Sequence, residues 1–185
     1  MSLTKADRQQ LLDVAKNSIR HGLDTGRPIT INLNDYPAAL TEPRATFVTL
    51  EINHQLRGCI GMLEAIRPLA EDIAANAYAA AFKDSRFPPI KAHELDGLDI
   101  HLSILAPAEP LSFNSEQDLI TQLQPGIDGL ILEEGQRRGT FLPSVWESLP
   151  EPRQFLRHLK QKAGLPPEYW SKNIRIYRYQ AEIVN

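Results

Sequence analysis

Residues 46–61 read TFVTLEINHQLRGCIG, and this stretch decides the fold of the chain. Residues 46–52 are rich in β-branched side chains, and a second β-type run at residues 56–61 follows a short Asn53-His54 turn. Two such runs joined by a short turn predict an antiparallel β-hairpin. Because apolar residues fall on both faces of the alternating pattern, we expect a central hairpin that is covered on both sides.

The length of the turn predicts the register of this hairpin. A two-residue turn pairs residues whose numbers sum to 107, which sets Leu50 opposite Arg57 and Val48 opposite Cys59. Side chains alternate along a strand, so Arg57 and Cys59 are then expected on the same face as Val48 and Leu50.

Helices and further strands are predicted on either side of the hairpin. Thr4 and Asp7 form a capping signal for a first helix that ends at Gly26, and an alanine-rich helix runs from Pro68 to about Phe82. The other elements that the patterns predict are helices near residue 115 and at 152–163, and strands at 98–105, 129–134, 140–142 and 173–184. Helices interleaved with hairpins indicate an α+β fold with antiparallel sheets.

Composition limits the classes of function. The chain has 185 residues, which suits one domain or two small lobes, and its net charge of −3 gives no bulk attraction to nucleic acid or anionic lipid. Its single cysteine excludes an internal disulfide and fits a reducing compartment. The first residues turn polar at once, and no uncharged apolar run is long enough to cross a bilayer. We therefore expect a cytoplasmic protein with no membrane partner.

Standard motifs of catalytic and cofactor sites are missing from the sequence. It has no Walker loop, no G-x-G-x-x-G after a strand, no G-x-S-x-G and no H-E-x-x-H. The five histidines are scattered, and no Cys/His cluster has zinc spacing. We therefore predict neither a bound metal nor a dedicated cofactor.

The exception to this lack of candidate site motifs is the segment Arg57-Gly58-Cys59-Ile60-Gly61. Gly58 and Gly61 weaken a strand, so they indicate a bulge, a bend or the close approach of another group. An arginine two residues from a cysteine on one strand face would favour the thiolate if the two tips approach each other, which is the physical case for a reactive Cys59. The alternative is a packed, inert cysteine, with Arg57 bound to a carboxylate that closes the sheet.

Two further groups of residues are candidates. Asp84 and Arg86 lie in the loop after the alanine-rich helix and are a reasonable ligand-binding element, but a salt bridge that orders the loop is the more common reason for such a pair. Basic residues interleaved with aromatic ones suggest a surface for single-stranded nucleic acid, but a solvated helix face with packed tyrosines fits the low isoelectric point better. The basic group comprises Arg137, Arg138, Arg153, Arg157, Lys160, Lys172, Arg175 and Arg178, with Tyr177 and Tyr179 nearby in sequence.

Residues 56–61, LRGCIG, resemble the signature of the AMMECR family. Further segments similar to that family are RPLAED at 67–72, AFKDSRFPP at 81–89, GLIL at 129–132 and FLPSVW at 141–146. The resemblance covers about residues 45–180. It implies an α+β fold in two unequal lobes around a cleft, with both termini in the larger lobe, so that residues 1–185 form a single AMMECR domain. It also implies a pathway shared with a Memo-type metalloprotein and a radical-SAM protein.

Three functions follow as hypotheses. In the first, the protein is an accessory component that binds a small molecule, a peptide or one of those two partners through Arg57, Gly58, Gly61, Asp84 and Arg86, without a cofactor. In the second, it is an enzyme with Cys59 as catalytic nucleophile and with His54 or His101 as candidate bases. In the third, it binds RNA or regulates through the basic group.

Overall fold

The predicted hairpin is present in the computed structural model, which describes residues 3–185. Strand β1 covers Thr46–Ile52 and strand β2 covers Gln55–Gly61. Both residues of the turn between them have positive φ, with 51° at Asn53 and 61° at His54. These are the angles of a two-residue turn that matches the twist of the strands. The hairpin prediction is confirmed.

The register of the hairpin changes part-way along it. Ile52 faces Gln55 and Glu51 faces Leu56, as a two-residue turn predicts. The pairing then shifts at Leu50, which faces Gly58. The predicted pairing of Leu50 with Arg57 is therefore wrong, because a β-bulge adds one residue to β2 at this point.

The bulge also changes the face on which Cys59 lies. Cys59 faces Thr49, not Val48 as predicted. Val48 and Leu50 are fully buried in the core, whereas Thr49 and Cys59 are half-buried on the opposite face. Cys59 is therefore not part of the core face of the hairpin.

Strand order contradicts the expectation of a central hairpin covered on both sides. The first sheet has the order β2-β1-β3-β8, with β3 at Leu98–Leu105 and β8 at Ala181–Val184. Strand β2 is thus an edge strand, and only one face of β1 is fully buried. We call the other face, defined by Phe47, Thr49, Glu51, Cys59 and His101, the outer face.

Two helices cover the buried face of this sheet. Helix α1 (Lys5–Thr25) begins with the predicted Thr4–Asp7 capping box and ends at Gly26, whose φ is 71°. Helix α3 (Leu69–Phe82) packs on β1 and β2 and also against α1. Leu69, Ile73 and Ala77 recur at helical spacing and form the fully buried stripe of this helix.

Short elements fill the connections of this part of the chain. Helix α2 covers Ala38–Thr41, and 3-10 turns cover Leu33–Asp35 and Ala92–Gly97. The chain divides into two compact units, the first reaching Leu105 and taking in Glu182–Asn185, the second covering Ala106–Ala181. No helix among the described residues is both long enough and apolar enough to span a membrane.

The second unit is a sheet with helices. The strands are β4 (Glu109–Leu111), β5 (Gly129–Glu134), β6 (Arg137–Phe141) and β7 (Arg175–Tyr179), and the helices are α4 (Glu116–Gln122), α5 (Pro152–Lys162) and a 3-10 turn at Pro143–Glu147. The strand order is β4-β7-β5-β6, with antiparallel pairing between neighbours. Phe155, Leu156 and Leu159 of α5 are fully buried.

The predicted long strand at 173–184 is wrong. It is interrupted at Gln180, so that β7 belongs to the second sheet and β8 to the first. The carbonyl of Gln180 accepts a hydrogen bond from the N–H of Ala106, at 2.8 Å. The β-type pattern runs through this position without a glycine or proline, so the sequence carries no signal for the break.

Gly58 allows helix α3 to approach β2 closely. A Cβ placed on Gly58 would lie 2.1 Å from the carbonyl oxygen of Ala80, which is a backbone atom of the helix. The whole helix would have to move to relieve that overlap. Gly61 is similarly confined, because its Cβ would lie 2.3 Å from the carbonyl oxygen of Thr46 and 2.4 Å from the ring of Phe47.

We expect Gly58→Ala to lower the free energy of unfolding by about 1 to 3 kcal/mol or more, because the added methyl group overpacks a rigid backbone contact. Urea unfolding of the full chain measures this. Gly97→Ala is the matched control, since nothing lies within 4 Å of its Cβ position, and its effect should stay within about 0.5 kcal/mol. Equal effects of the two substitutions would contradict the close contact.

Candidate functional site

Arg57 ties the loop after α3 to the bulge of β2. Its Nε and Nη2 atoms donate to the two carboxylate oxygens of Glu94, at 2.8 and 3.2 Å. Its Nη1 and Nη2 atoms donate to the carbonyls of Pro88 and Pro89, at 2.9 and 3.4 Å. All three guanidinium nitrogens therefore bond within the protein, and the side chain is only 14% exposed. These contacts fit the alternative that the sequence left open, in which Arg57 binds a carboxylate.

Asp84 and Arg86 hold the outer edge of β2. The carboxylate of Asp84 accepts from the backbone N–H of Cys59 at 2.9 Å, and Arg86 Nη2 lies 3.4 Å from the carbonyl oxygen of Cys59. The backbone of Cys59 thus bonds to this pair on the side facing away from β1. We call the arrangement of Asp84 and Arg86 around Cys59 the edge clasp. It satisfies strand groups that would otherwise stay open to pairing with another chain.

The edge clasp is held together by an ion pair of unequal burial. Arg86 donates to Asp84 from Nε at 2.9 Å and from Nη2 at 2.7 Å, and its backbone N–H adds a third bond at 3.1 Å. The Arg86 guanidinium holds the pKa of the Asp84 carboxyl far below its ordinary value, and the N–H of Cys59 contributes. The Asp84 side chain is 5% exposed but that of Arg86 is 55% exposed. Arg86 is therefore anchored at a fixed position and still open to solvent.

Cys59 lies on the outer face, and the edge clasp holds its backbone. Its Sγ atom is 3.3 Å from Thr49 Oγ1, and Thr49 is in turn paired with His101 on β3. The Nε2 atom of His101 lies 3.6 Å from a carboxylate oxygen of Glu51. Cys59 and His101 are thus separated by β1, with Thr49 between them, so the candidate base does not adjoin the thiol.

The arginine that contacts Cys59 is Arg86, at the backbone carbonyl, and not Arg57 as the sequence suggests. The hydrogen bonds of the Arg57 guanidinium all go to Glu94, Pro88 and Pro89. Because the bulge places Arg57 outside the regular alternation, residues 57 and 59 do not form the simple same-face pair that the sequence suggests. His54 is exposed at the hairpin turn.

A second polar cluster surrounds Asp72 and was not predicted from the sequence. Asp72 of α3 is fully buried and accepts from Thr46 Oγ1 at 2.6 Å and from Asn76 Nδ2 at 2.9 Å. Arg67 completes the cluster through Nε, 2.9 Å from Asp72 Oδ1. The i to i+4 spacing of Asp72 and Asn76 was the available signal, because it places both on one helix face. The cluster fixes the start of β1 to α3.

The basic group does not form one solvated surface. Lys160 is fully buried, where its ammonium group bonds to Glu116 and to the carbonyl of Pro167 and lies 5.7 Å from the ring centre of Trp170. Arg157 pairs with Glu168 at 2.6 Å. The interpretation of Lys160 as part of an exposed stripe is wrong, because its charge is neutralised inside the second unit.

Comparison with known proteins now identifies the family. The AMMECR1 family model matches residues 12–184. The chain belongs to the AMMECR1 family. A protein of Methanothermobacter thermautotrophicus is 37% identical over 187 residues, covering 98% of this chain and 95% of that protein. The crystal structure of an uncharacterised Pyrococcus horikoshii protein matches with a TM-score of 0.87 at 35% identity, covering 94% and 88% of the two chains.

Membership of the AMMECR1 family confirms the resemblance found in the sequence and the α+β fold. A protein of Methanocaldococcus jannaschii is also similar, at 40% identity over 161 residues, covering 83% of this chain and 78% of that protein. The names of these AMMECR1-type relatives state no reaction. Within residues 3–185, no group of three or more His, Cys, Asp and Glu side chains is arranged to hold a metal ion. Any functional conclusion must therefore come from the contacts described above.

We expect Asp84→Asn to destabilise the protein at pH 7 by about 1 to 3 kcal/mol, because a buried acceptor of four hydrogen bonds is lost. The native pKa of Asp84 is lowered, so its contribution is present above pH about 4 and is lost as the pH falls below that value. The stability of the variant should therefore fall less steeply than that of the wild type as the pH is lowered through this region.

Chemical unfolding at a series of pH values measures this difference. Asp24→Asn, at an exposed position of α1, is the control and should follow the wild-type curve. An Asp84→Asn curve parallel to the wild type would show that the edge clasp contributes nothing through its charge.

Proposed function

We propose that this AMMECR1-family protein is a binding component, and that it takes an anionic group of a small molecule or peptide at Arg86 beside Cys59. The observation that carries this proposal is that Arg86 is held in place by Asp84 and is still open to solvent. Its guanidinium is fixed by Asp84 yet 55% exposed, and among the described residues its Nη1 atom forms no hydrogen bond. An arginine whose position is already fixed loses little conformational freedom when it binds a carboxylate or phosphate.

The other candidate residues support this site without touching the ligand. Gly58 and Gly61 have their Cβ positions closed by atoms of the protein itself. Asp84 and Arg57 use their hydrogen bonds on Cys59, Arg86, Glu94 and the two prolines. We infer that they shape the bulged edge of β2 and place Arg86, while Arg86 and Cys59 make the contacts. The ring of Phe87, 5.5 Å from the guanidinium carbon of Arg86, further restricts its movement.

We also propose that the binding component acts with a Memo-type metalloprotein and a radical-SAM protein, as the AMMECR resemblance implies. A carboxylate-bearing segment of one of these proteins, or a small anionic molecule that passes between them, would suit Arg86. The cytoplasm, where a single free thiol is kept reduced, is the compartment that fits this role.

A cysteine-dependent enzyme is the second candidate. The half-buried Cys59 lies in a row with Thr49 and His101 across three strands, which is the feature that favours it. Nucleophilic catalysis requires a base within hydrogen-bond reach of the thiol, however, and the group beside Sγ is the hydroxyl of Thr49. We therefore rank the binding function above the enzymatic one.

Removal of the Arg86 charge should weaken association. We expect the tagged full chain to retain the Memo-type or the radical-SAM protein of the same cell, and Arg86→Gln to retain about tenfold less, as loss of a charge-assisted hydrogen bond predicts. Arg86→Lys, which keeps a charge, should retain an intermediate amount. Arg27→Gln, at an exposed position, is the control. Unfolding curves must first show that each variant is folded.

Failure of the wild type to retain either protein would remove the proposed partners. Equal retention by the wild type and by folded Arg86→Gln would remove Arg86 as the contact residue.

Alkylation of Cys59 separates binding from catalysis. We expect iodoacetamide to modify Cys59 in the native protein no faster than a free model thiol at neutral pH, because the group that bonds to Sγ among residues 3–185 is the Thr49 hydroxyl, which is not a base. Mass spectrometry of samples taken over time gives the rate, and the urea-unfolded chain gives the reference for an open thiol. A rate well above the model thiol would instead favour the enzyme.

A further inference from the structure

Asp128 is a buried carboxyl group at the start of β5 that the functions above do not use. The residue is 1% exposed. Its backbone carbonyl accepts from the indole nitrogen of Trp146 at 2.8 Å, and that indole stacks on Phe155 with ring centres 3.7 Å apart. The core of the second unit thus fixes the backbone of Asp128.

The carboxyl group of Asp128 has too few hydrogen-bond donors. Its Oδ2 atom accepts from the backbone N–H of Gln124, at 2.8 Å. The guanidinium of Arg178 lies 3.9 Å from the same oxygen, which is too far for a hydrogen bond. The Oδ1 atom is buried and has no hydrogen-bond partner among residues 3–185.

Asp84 is a buried carboxyl group with the opposite arrangement of donors. Both aspartates are buried, but four donors reach the carboxylate of Asp84 and its pKa is lowered. Burial raises the pKa of Asp128, since the few donors around it do not offset the loss of water. A buried carboxyl oxygen that accepts no hydrogen bond is destabilising, and a donor from outside the chain would stabilise it.

A cavity of about 300 Å³ adjoins Asp128 and Arg178. All the residues that line it belong to the second unit. The volume is at the lower end of the range for small-molecule sites. Its polar lining comprises Glu109, Gln124, Asp128, Arg178, Tyr179 and Gln180. An acid and a base therefore line one small cavity without a hydrogen bond between them.

We propose that this cavity binds a small zwitterion of the amino-acid type, whose ammonium group pairs with Asp128 and whose carboxylate pairs with Arg178. Such a ligand supplies a donor to the unmatched carboxyl oxygen and an acceptor to the guanidinium, and it adds no net charge to the site. Glu109, which faces Arg178 across β4 and β7, adds a second acidic group for the ammonium end.

Calorimetric titration of the full chain with each of the common free amino acids tests the proposal. At least one should bind, and its N-acetyl and carboxamide derivatives, which each lack one charge, should bind about tenfold more weakly or worse. Asp128→Asn and Arg178→Gln should each weaken binding by about 10- to 100-fold, the usual effect of losing a hydrogen bond to a charged group. Arg175→Gln, on the same strand but paired with Glu133, is the matched control and should bind as the wild type does.

Three results would overturn the proposal: no amino acid binds, a singly charged derivative binds as well as the parent, or the folded cavity variants bind unchanged. Thermal unfolding first establishes that each variant is folded. We expect Asp128→Asn to be at least as stable as the wild type at neutral pH without ligand, because it removes a poorly matched buried acid. The Arg178 side chain is 35% exposed, so its variant gives an independent result if Asp128→Asn does not fold. The proposed function at Arg86 involves none of these residues, so neither experiment decides the other.

Discussion

The bond from the N–H of Cys59 to the carboxylate of Asp84 is the contact on which the arrangement of the signature depends. It joins the edge strand to the loop that follows α3, and the same loop returns to the strand through Arg57 and Glu94. An edge strand with a bulge has weak regular pairing, and these charged groups replace the neighbouring strand that it lacks. Asp84, anchored in this way, holds Arg86 beside Cys59.

The two glycines act together with these charged contacts. Gly58 lets the backbone of α3 come so near to β2 that no side chain fits between them, and Gly61 makes room for the ring of Phe47. The alanine-rich helix contributes small side chains to the same contact. Gly58 and Gly61 of the LRGCIG signature therefore meet a packing requirement, whereas Cys59 is half-buried beside the more exposed side chain of Arg86.

Local signals in the sequence were sufficient for most elements of the fold. The capping box at Thr4, the limits of β1, β3 and β5, and the buried stripe of α3 all follow from patterns within a few residues of each other. Strand β6 begins at Arg137 and not at Thr140 as predicted, and β4 was missed because so short a strand has no periodic pattern. The bulge at Arg57 and the break at Gln180 depend on contacts with distant parts of the chain, which no local pattern encodes. For the same reason the sequence indicated Asp84 and Arg86 as a pair but not their bond to Cys59, and it carried no sign of Asp128.

The placement of β8 bears on the order in which the protein is made. Strand β8 completes the sheet that begins with β1, yet it leaves the ribosome only after the entire second unit. During translation the free side of β3 therefore stays uncovered until Ala181–Val184 emerge, although α1, α3 and the hairpin are available to fold earlier. The nascent chain is thus exposed to wrong strand partners while the second unit is made, and protection by a chaperone would matter most in that interval.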